Sequence, residues 1–284
     1  MNVGFIGTGS MGSILVEAFI QSKGIKPENL LLYNRTPSKA EKLAERYPGI
    51  KVSDKLSSLA EEGDLLFICV RPQDYKGVLE TIAPILRPDH IVISITSTIL
   101  IEELENVLPR AKVIKMIPSI TNAALTGALL VMFGSRIQKE EKKNWFSFFS
   151  HIGTPILIEE KNVRAASDIT SCGPAFFSFL LQDFIQNAVR ETGIDEELAA
   201  RLASEMIIGL SALLSKGIFT LPTLQARVCV PGGVTGAGLY VLEKETRGVF
   251  RDLFLTTHAK FRQDREESKT WLPTPLTPPD DSPR

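Results

Sequence analysis

The sequence predicts an α/β protein: a doubly wound sheet over residues 1–160, then an all-α domain over 161–266, then a polar, proline-rich end over 267–284. Three observations carry this. Short apolar runs, often β-branched, alternate with amphipathic stretches, as buried parallel strands alternate with their crossover helices. The strand signal stops near residue 160 and long helical periodicities replace it. The first apolar run leads straight into a glycine-rich turn and a helix.

In chain order, residues 3–6, 30–33, 65–70, 91–95, 112–116, 129–133 and 155–158 read as strands. Several lack polar alternation, which suits strands covered on both faces and joined by right-handed crossovers. Helical patterns at 13–23, 38–47 and 73–85 lie between them. Beyond residue 160, the stretch 175–192 spaces Phe176, Phe179, Leu180, Phe184, Ile185 and Ala188 for one helix face, and Gly193 suits its C-terminal cap. Residues 196–215 place Leu198, Leu202, Met206 and Leu210 on a second face, and 238–244 and 248–265 read as further helices. These side chains offer more apolar surface than so few helices can bury among themselves, so a homodimer or larger homo-oligomer is expected. The run Leu272-Pro273-Thr274-Pro275-Leu276-Thr277-Pro278-Pro279 offers little to bury, and 267–284 is read as a disordered tail.

Composition narrows the function. Of 284 residues, 44% are hydrophobic, enough for a core; Lys+Arg of 32 against Asp+Glu of 33 leaves a net charge of -1. That balance has no basic footprint for nucleic acid or an anionic membrane. No uninterrupted apolar run approaches the ~18 residues of a membrane span. The start of the chain lacks the pattern of a secretion signal. Cys69, Cys172 and Cys229 are few and scattered, which fits a reducing compartment, and a cytoplasmic location is expected. His90, His151 and His258 are scattered too, and no metal site is expected.

The first functional signal is Gly7-Thr8-Gly9-Ser10-Met11-Gly12, between the first strand and the first helix. In that context it is the dinucleotide fingerprint of a Rossmann-type sheet: Gly7 for the turn, Gly9 for approach of a pyrophosphate, Gly12 for helix–strand packing. The helix start supplies free N–H groups and a positive dipole end. After the second strand comes Asn34-Arg35-Thr36, with Lys39 following, where an NAD site places an acid. Arg35 can fork onto a 2′-phosphate, so NADP is expected over NAD, which remains possible. Val70-Arg71-Pro72 follows at the end of the strand at 65–70 and borders the same cleft.

The second signal is Val230-Pro231-Gly232-Gly233-Val234-Thr235, where paired glycines open a helix and form an anion nest suited to a small carboxylate. With both motifs, together with Gly173-Pro174-Ala175-Phe176 and Leu242-Glu243, the chain resembles the pyrroline-5-carboxylate reductase family from residue 2 to about 266. The resemblance implies reduction of the cyclic imine 1-pyrroline-5-carboxylate to L-proline by NAD(P)H, and helical C-terminal domains that interlock two subunits. It implies that Gly232, Gly233, Val234 and Thr235 bind the carboxylate and that the Thr235 hydroxyl serves catalysis beside the ring nitrogen. Three motifs depart from the family's usual form. Ser119 stands at an asparagine position, Cys172 replaces a serine before Gly173, and Val230 replaces a serine before Pro231. This pattern resembles the divergent, ComER-like members associated with bacterial competence operons. It keeps a second reading open, a regulatory NADP-binding paralogue with weak or no turnover. A third, a β-hydroxyacid dehydrogenase, needs a catalytic lysine for which Lys161 and Lys216 are poor candidates.

Overall fold

A computed structural model describes residues 1–273. Its sheet has eight strands: β1 (Val3–Ile6), β2 (Leu30–Tyr33), β3 (Lys51–Val52), β4 (Leu65–Ile68), β5 (Ile91–Ser94), β6 (Lys112–Ile117), β7 (Ala128–Phe133) and β8 (Thr154–Leu157), in the order β3-β2-β1-β4-β5-β6-β7-β8. All neighbours are parallel except β6 and β7, which run antiparallel, a departure from the fully parallel sheet expected. The linker between them carries only a short 3₁₀ segment, Ile120–Ala124, and not the helix a parallel crossover uses. The helices are α1 (Ser10–Gln21), α2 (Pro37–Arg46), α3 (Leu56–Glu62), α4 (Tyr75–Ile82), α5 (Ile101–Val107), α6 (Lys139–Phe149), α7 (Val163–Ser167), α8 (Gly173–Thr192), α9 (Glu196–Ser215), α10 (Leu221–Val228), α11 (Val234–Glu245) and α12 (Val249–Ser268).

Successive strand residues feed two cores on opposite faces of the sheet, which is why the runs lack polar alternation. Ile6, Leu31, Leu66, Ile68, Val92 and Val113 join one cluster. Val3, Phe5, Leu32, Phe67, Ile93 and Ile114 join the other. The outermost strands escape the expectation of burial on both faces. β3 has two residues and no apolar run, and on edge strand β8 Ile156 and Leu157 stay exposed. Pro155 is tolerated there because an edge strand has an unpaired side.

The chain divides into two compact units, Met1–Gly173 with the chain from Thr257 onward, and Pro174–Thr256. The sheet unit thus extends past the division at residue 160. Val163 is buried in its core, and the buried Asp168 carboxylate accepts hydrogen bonds from Arg164 (2.6 Å) and Thr257 (2.8 Å). By contact the second division, at residue 266, is crossed in the same way, and the first residues of the expected tail are held. α12 runs on to Ser268, whose buried hydroxyl donates to the Thr98 carbonyl (3.1 Å), while Arg265 pairs with Glu103 (2.6 Å). A 3₁₀ turn, Lys269–Trp271, packs near the segment Pro72–Asp74, and Leu272 packs on the sheet core. The rest of the expected tail, 274–284, lies outside the described residues.

In the helical unit Gly193, at φ +70°, stops α8, and the Asp195 carboxylate caps α9 by accepting from the Leu198 N–H (2.9 Å). α9, interrupted by Arg201 and Glu205, is the one helix among the described residues long and apolar enough to cross a membrane by length and composition.

Candidate nucleotide site and anion-binding turn

β1 delivers the chain to Gly7, whose φ of +100° is strained for any residue with a side chain. Its N–H donates to the Tyr33 carbonyl (2.8 Å), tying the turn to the end of β2. A Cβ on Gly12 would lie 2.1 Å from the Gly7 carbonyl oxygen, so the helix reaches the turn only because residue 12 has no side chain. A Cβ on Gly9 would meet nothing within 4 Å. No internal contact therefore requires glycine there, and the space is left on the open side. Asn34 braces the turn: its side-chain oxygen accepts from the Thr8 N–H (2.9 Å), and its amide donates to the Thr36 carbonyl (2.8 Å).

Beside this turn lies a cleft of about 1050 Å³ at the C-terminal ends of β1, β2 and β4, where doubly wound sheets take their ligands. Gly7, Gly9, Ser10, Asn34, Arg35, Thr36, Val70 and Arg71 line it, as does Lys39. Thr8, Met11, Gly12 and Pro72 do not line it. The residues fit a dinucleotide. Gly9 leaves a cradle that a Cβ would fill, the first turn of α1 has no side-chain cap, and the buried Thr8 hydroxyl has no hydrogen-bond partner among the described residues. Thr36 occupies the cap position of α2 with Pro37 after it, lines the cleft, and makes no capping bond through its hydroxyl. Cys69 also lines the cleft, and burial pushes its thiol pKa well up.

One residue here was missed by sequence reasoning. Asp74, from the 3₁₀ segment Pro72–Asp74, accepts a hydrogen bond from Arg35 Nη1 (2.9 Å) and lies 3.5 Å from Arg71 Nε. The residues at the end of β2 hold no acid, and this one is delivered 39 residues after Arg35 by the β4 loop.

In the helical unit, Pro231 and Gly232 (φ +74°) form the centre of a tight turn closed by Gly233 N–H to the Val230 carbonyl (3.0 Å), the arrangement of a type II turn. That bond engages one donor of the expected nest. The Gly233 N–H is already engaged, so the free donors are those of Val234 and Thr235 in the first turn of α11. Gly233 is needed for another reason: a Cβ there would meet Val230 Cγ2 at 2.8 Å. Val234 is exposed and Thr235 half-buried. The four predicted substrate residues lie in the helical unit and the predicted cofactor residues in the sheet unit.

Comparison with known proteins places this geometry. Residues 160–264 match a family model described as pyrroline-5-carboxylate reductase dimerisation, and residues 2–98 match one described as NADP oxidoreductase, coenzyme F420-dependent. The chain is 46% identical over 264 residues to ComE operon protein 4 of Bacillus subtilis, covering 93% of this chain and 96% of that one. It is 28% identical to the pyrroline-5-carboxylate reductase of Aquifex aeolicus, covering 93% and 97%. Among solved structures, the Plasmodium falciparum pyrroline carboxylate reductase with NADP bound superposes with a TM-score of 0.79 at 26% identity, covering 95% and 98%. The chain belongs to the pyrroline-5-carboxylate reductase family. Within that family of NAD(P)-dependent oxidoreductases it is a ComER-like member.

The three departures from the family's motifs have distinct surroundings. Ser119 is buried, and its hydroxyl donates to the Thr170 carbonyl (2.7 Å) while accepting from the Thr121 hydroxyl (3.0 Å). Ser171 donates to the Pro118 carbonyl (2.8 Å), so two serines tie this loop to a π-helical segment, Asp168–Cys172. Cys172 Sγ accepts from Arg164 Nη2 at 3.3 Å. Val230 is largely exposed in its own unit. Neither lysine of the dehydrogenase reading is placed for catalysis: Lys161 is exposed and paired with Glu159, and Lys216 caps the end of α9.

Proposed function

We propose that this chain reduces 1-pyrroline-5-carboxylate, or a close cyclic imino acid, to the corresponding imine-reduced amino acid with NADPH. The observation that carries the reading is the Pro231–Gly232 turn at the start of α11, which frees the Val234 and Thr235 N–H groups and sets a hydroxyl beside them in a member of this family. When bound, the nicotinamide supplies a hydride to the imine carbon. Protonation of the ring nitrogen makes that carbon a good hydride acceptor, so the protein needs no metal and no strong acid. Its own task is to hold the carboxylate on the two N–H groups and the helix dipole, orient the ring, and offer the Thr235 hydroxyl to the nitrogen whose charge changes. In the sheet unit, Gly9 and the first turn of α1 would receive the pyrophosphate, and Arg35 with Lys39 and Thr36 the 2′-phosphate.

The test is an assay of the purified protein with pyrroline-5-carboxylate and each reduced nucleotide. Thr235→Ala and Thr235→Val should each lower kcat/KM about 5- to 150-fold while a carboxylate analogue still binds, because the backbone donors survive. Parental rates in both variants would end the hydroxyl's role. A second reading, a regulatory protein that binds NADP with little turnover, draws on Ser119, whose hydroxyl is committed to Thr170. Tight NADPH binding with no substrate-dependent oxidation would favour it.

A further inference from the structure

We propose that Asp74 sets the balance between the two nicotinamide cofactors by holding Arg35 away from a 2′-phosphate. The inference rests on Arg35 being the 2′-phosphate ligand, as put forward above, and adds a residue that opposes it.

A site selective for NADP presents unopposed cations, and a site selective for NAD presents an acid near the adenosine ribose. This chain has both at one place. Arg35 comes from the end of β2, and Asp74 comes from the loop after β4. The Asp74 carboxylate is shared: Oδ1 accepts from Arg35 at 2.9 Å and Oδ2 faces Arg71 at 3.5 Å. All three residues line the same cleft. Asp74 occupies the cap position of α4 but makes no capping bond, so its carboxylate is free of a helix-end duty.

The direction of the effect follows from exposure. The Arg35 side chain is 74% exposed and that of Arg71 67%. So open a pair contributes little order to either guanidinium, and what Asp74 would lend a phosphate by pre-orienting them is small. Its charge acts regardless of order. A phosphate taken by Arg35 must share or displace the carboxylate and then stand near it with like sign. NADH, with a ribose hydroxyl in place of the phosphate, meets no such repulsion and has an acceptor nearby. Asp74 thus lowers affinity for NADPH and leaves NADH unharmed, and the chain uses both nucleotides more evenly than Arg35 and Lys39 alone would dictate.

The experiment measures dissociation constants of NADPH and NADH by calorimetry, without turnover, for the full-length protein and for Arg35→Ala, Asp74→Asn, Asp74→Ser and the double variant Arg35→Ala/Asp74→Asn. Either Asp74 substitution should tighten NADPH about 3- to 10-fold and leave NADH within about twofold, and the gain should shrink in high salt. In the Arg35→Ala background the gain should fall to about twofold or less. Weaker NADPH binding after Asp74→Asn would overturn the proposal, since Asp74 would then be an organiser of Arg35. Parallel changes for both nucleotides would overturn it as well, since the residue would then only support the loop. If Arg35→Ala leaves NADPH binding unchanged, the Arg35 reading falls and this proposal with it. If Arg35→Ala weakens NADPH but neither Asp74 substitution tightens it, Asp74 alone is dismissed.

Discussion

The two units use similar apolar residues to opposite ends. In the sheet unit Phe5, Phe19 and Phe67 are fully buried, and Phe5 stacks on Phe67 with ring centroids 4.5 Å apart. In the helical unit Phe179 is 69% exposed and Phe184 64%, and Ala199 and Ala203 are its only buried apolar residues among those described. A strand between two neighbours, roofed by helices on both faces, has every side covered within its own chain. A few helices have no such roof, and their apolar faces remain available. The helical segment matches a dimerisation family, which supports a homo-oligomer. The contrast separates stability that is internal from stability that depends on protein concentration.

The sharpest way to break this comparison is to charge the helical face. Leu202→Asp with Met206→Asp removes two large apolar side chains per subunit, each worth ~1.5–3 kcal/mol when fully buried, and adds charges to the interface. Sedimentation should show a monomer in place of the oligomer; an unchanged mass would show that the face lies elsewhere. Phe67→Ala, by contrast, should destabilise the sheet unit by ~3–5 kcal/mol in denaturant at any protein concentration. If its effect varied with concentration, the division between the units would be wrong. Truncation after Glu267 should cost ~1–3 kcal/mol, because it removes the Ser268 bond to Thr98 and the packing of Leu272. A silent truncation would return that segment to the status of a tail.

The smallest effect concerns pH. His90 is buried, and its Nδ1 accepts from the Arg87 N–H (3.2 Å), which requires an unprotonated nitrogen. Burial, helped by the Arg87 charge, pushes its pKa below the ordinary 6.5. Between the folded and unfolded values the unfolded chain binds more protons, so stability rises with pH there. His90 therefore costs stability as pH falls below 6.5, and the loss levels off beneath the folded value. His90→Asn should flatten this limb in denaturation between pH 7 and pH 5. An identical pH profile would remove His90 as its source.

Where local chemistry decides, the sequence was a sufficient guide. The Gly7–Gly12 turn was legible because each glycine answers a local demand, a positive φ at Gly7 and a carbonyl 2.1 Å from any Cβ at Gly12. The major strands and the long helices were legible because periodicity reports burial along one element, and α9 was placed residue for residue. What escaped depends on residues distant in the chain. Lys115 lies within an apolar strand, fully buried against Glu160 at 2.5 Å, 45 residues on. The antiparallel turn into β7, the return of α12 to the sheet, the commitment of Ser119 to Thr170 and the meeting of Asp74 with Arg35 belong to the same class. The sequence by itself determined the element order, the glycine turns and the surplus of apolar helix surface, because φ preferences, packing period and area act within a few residues. Only the tertiary structure decided which charges meet, because pairing between ions depends on the distance in space that the sheet order creates and not on distance along the chain.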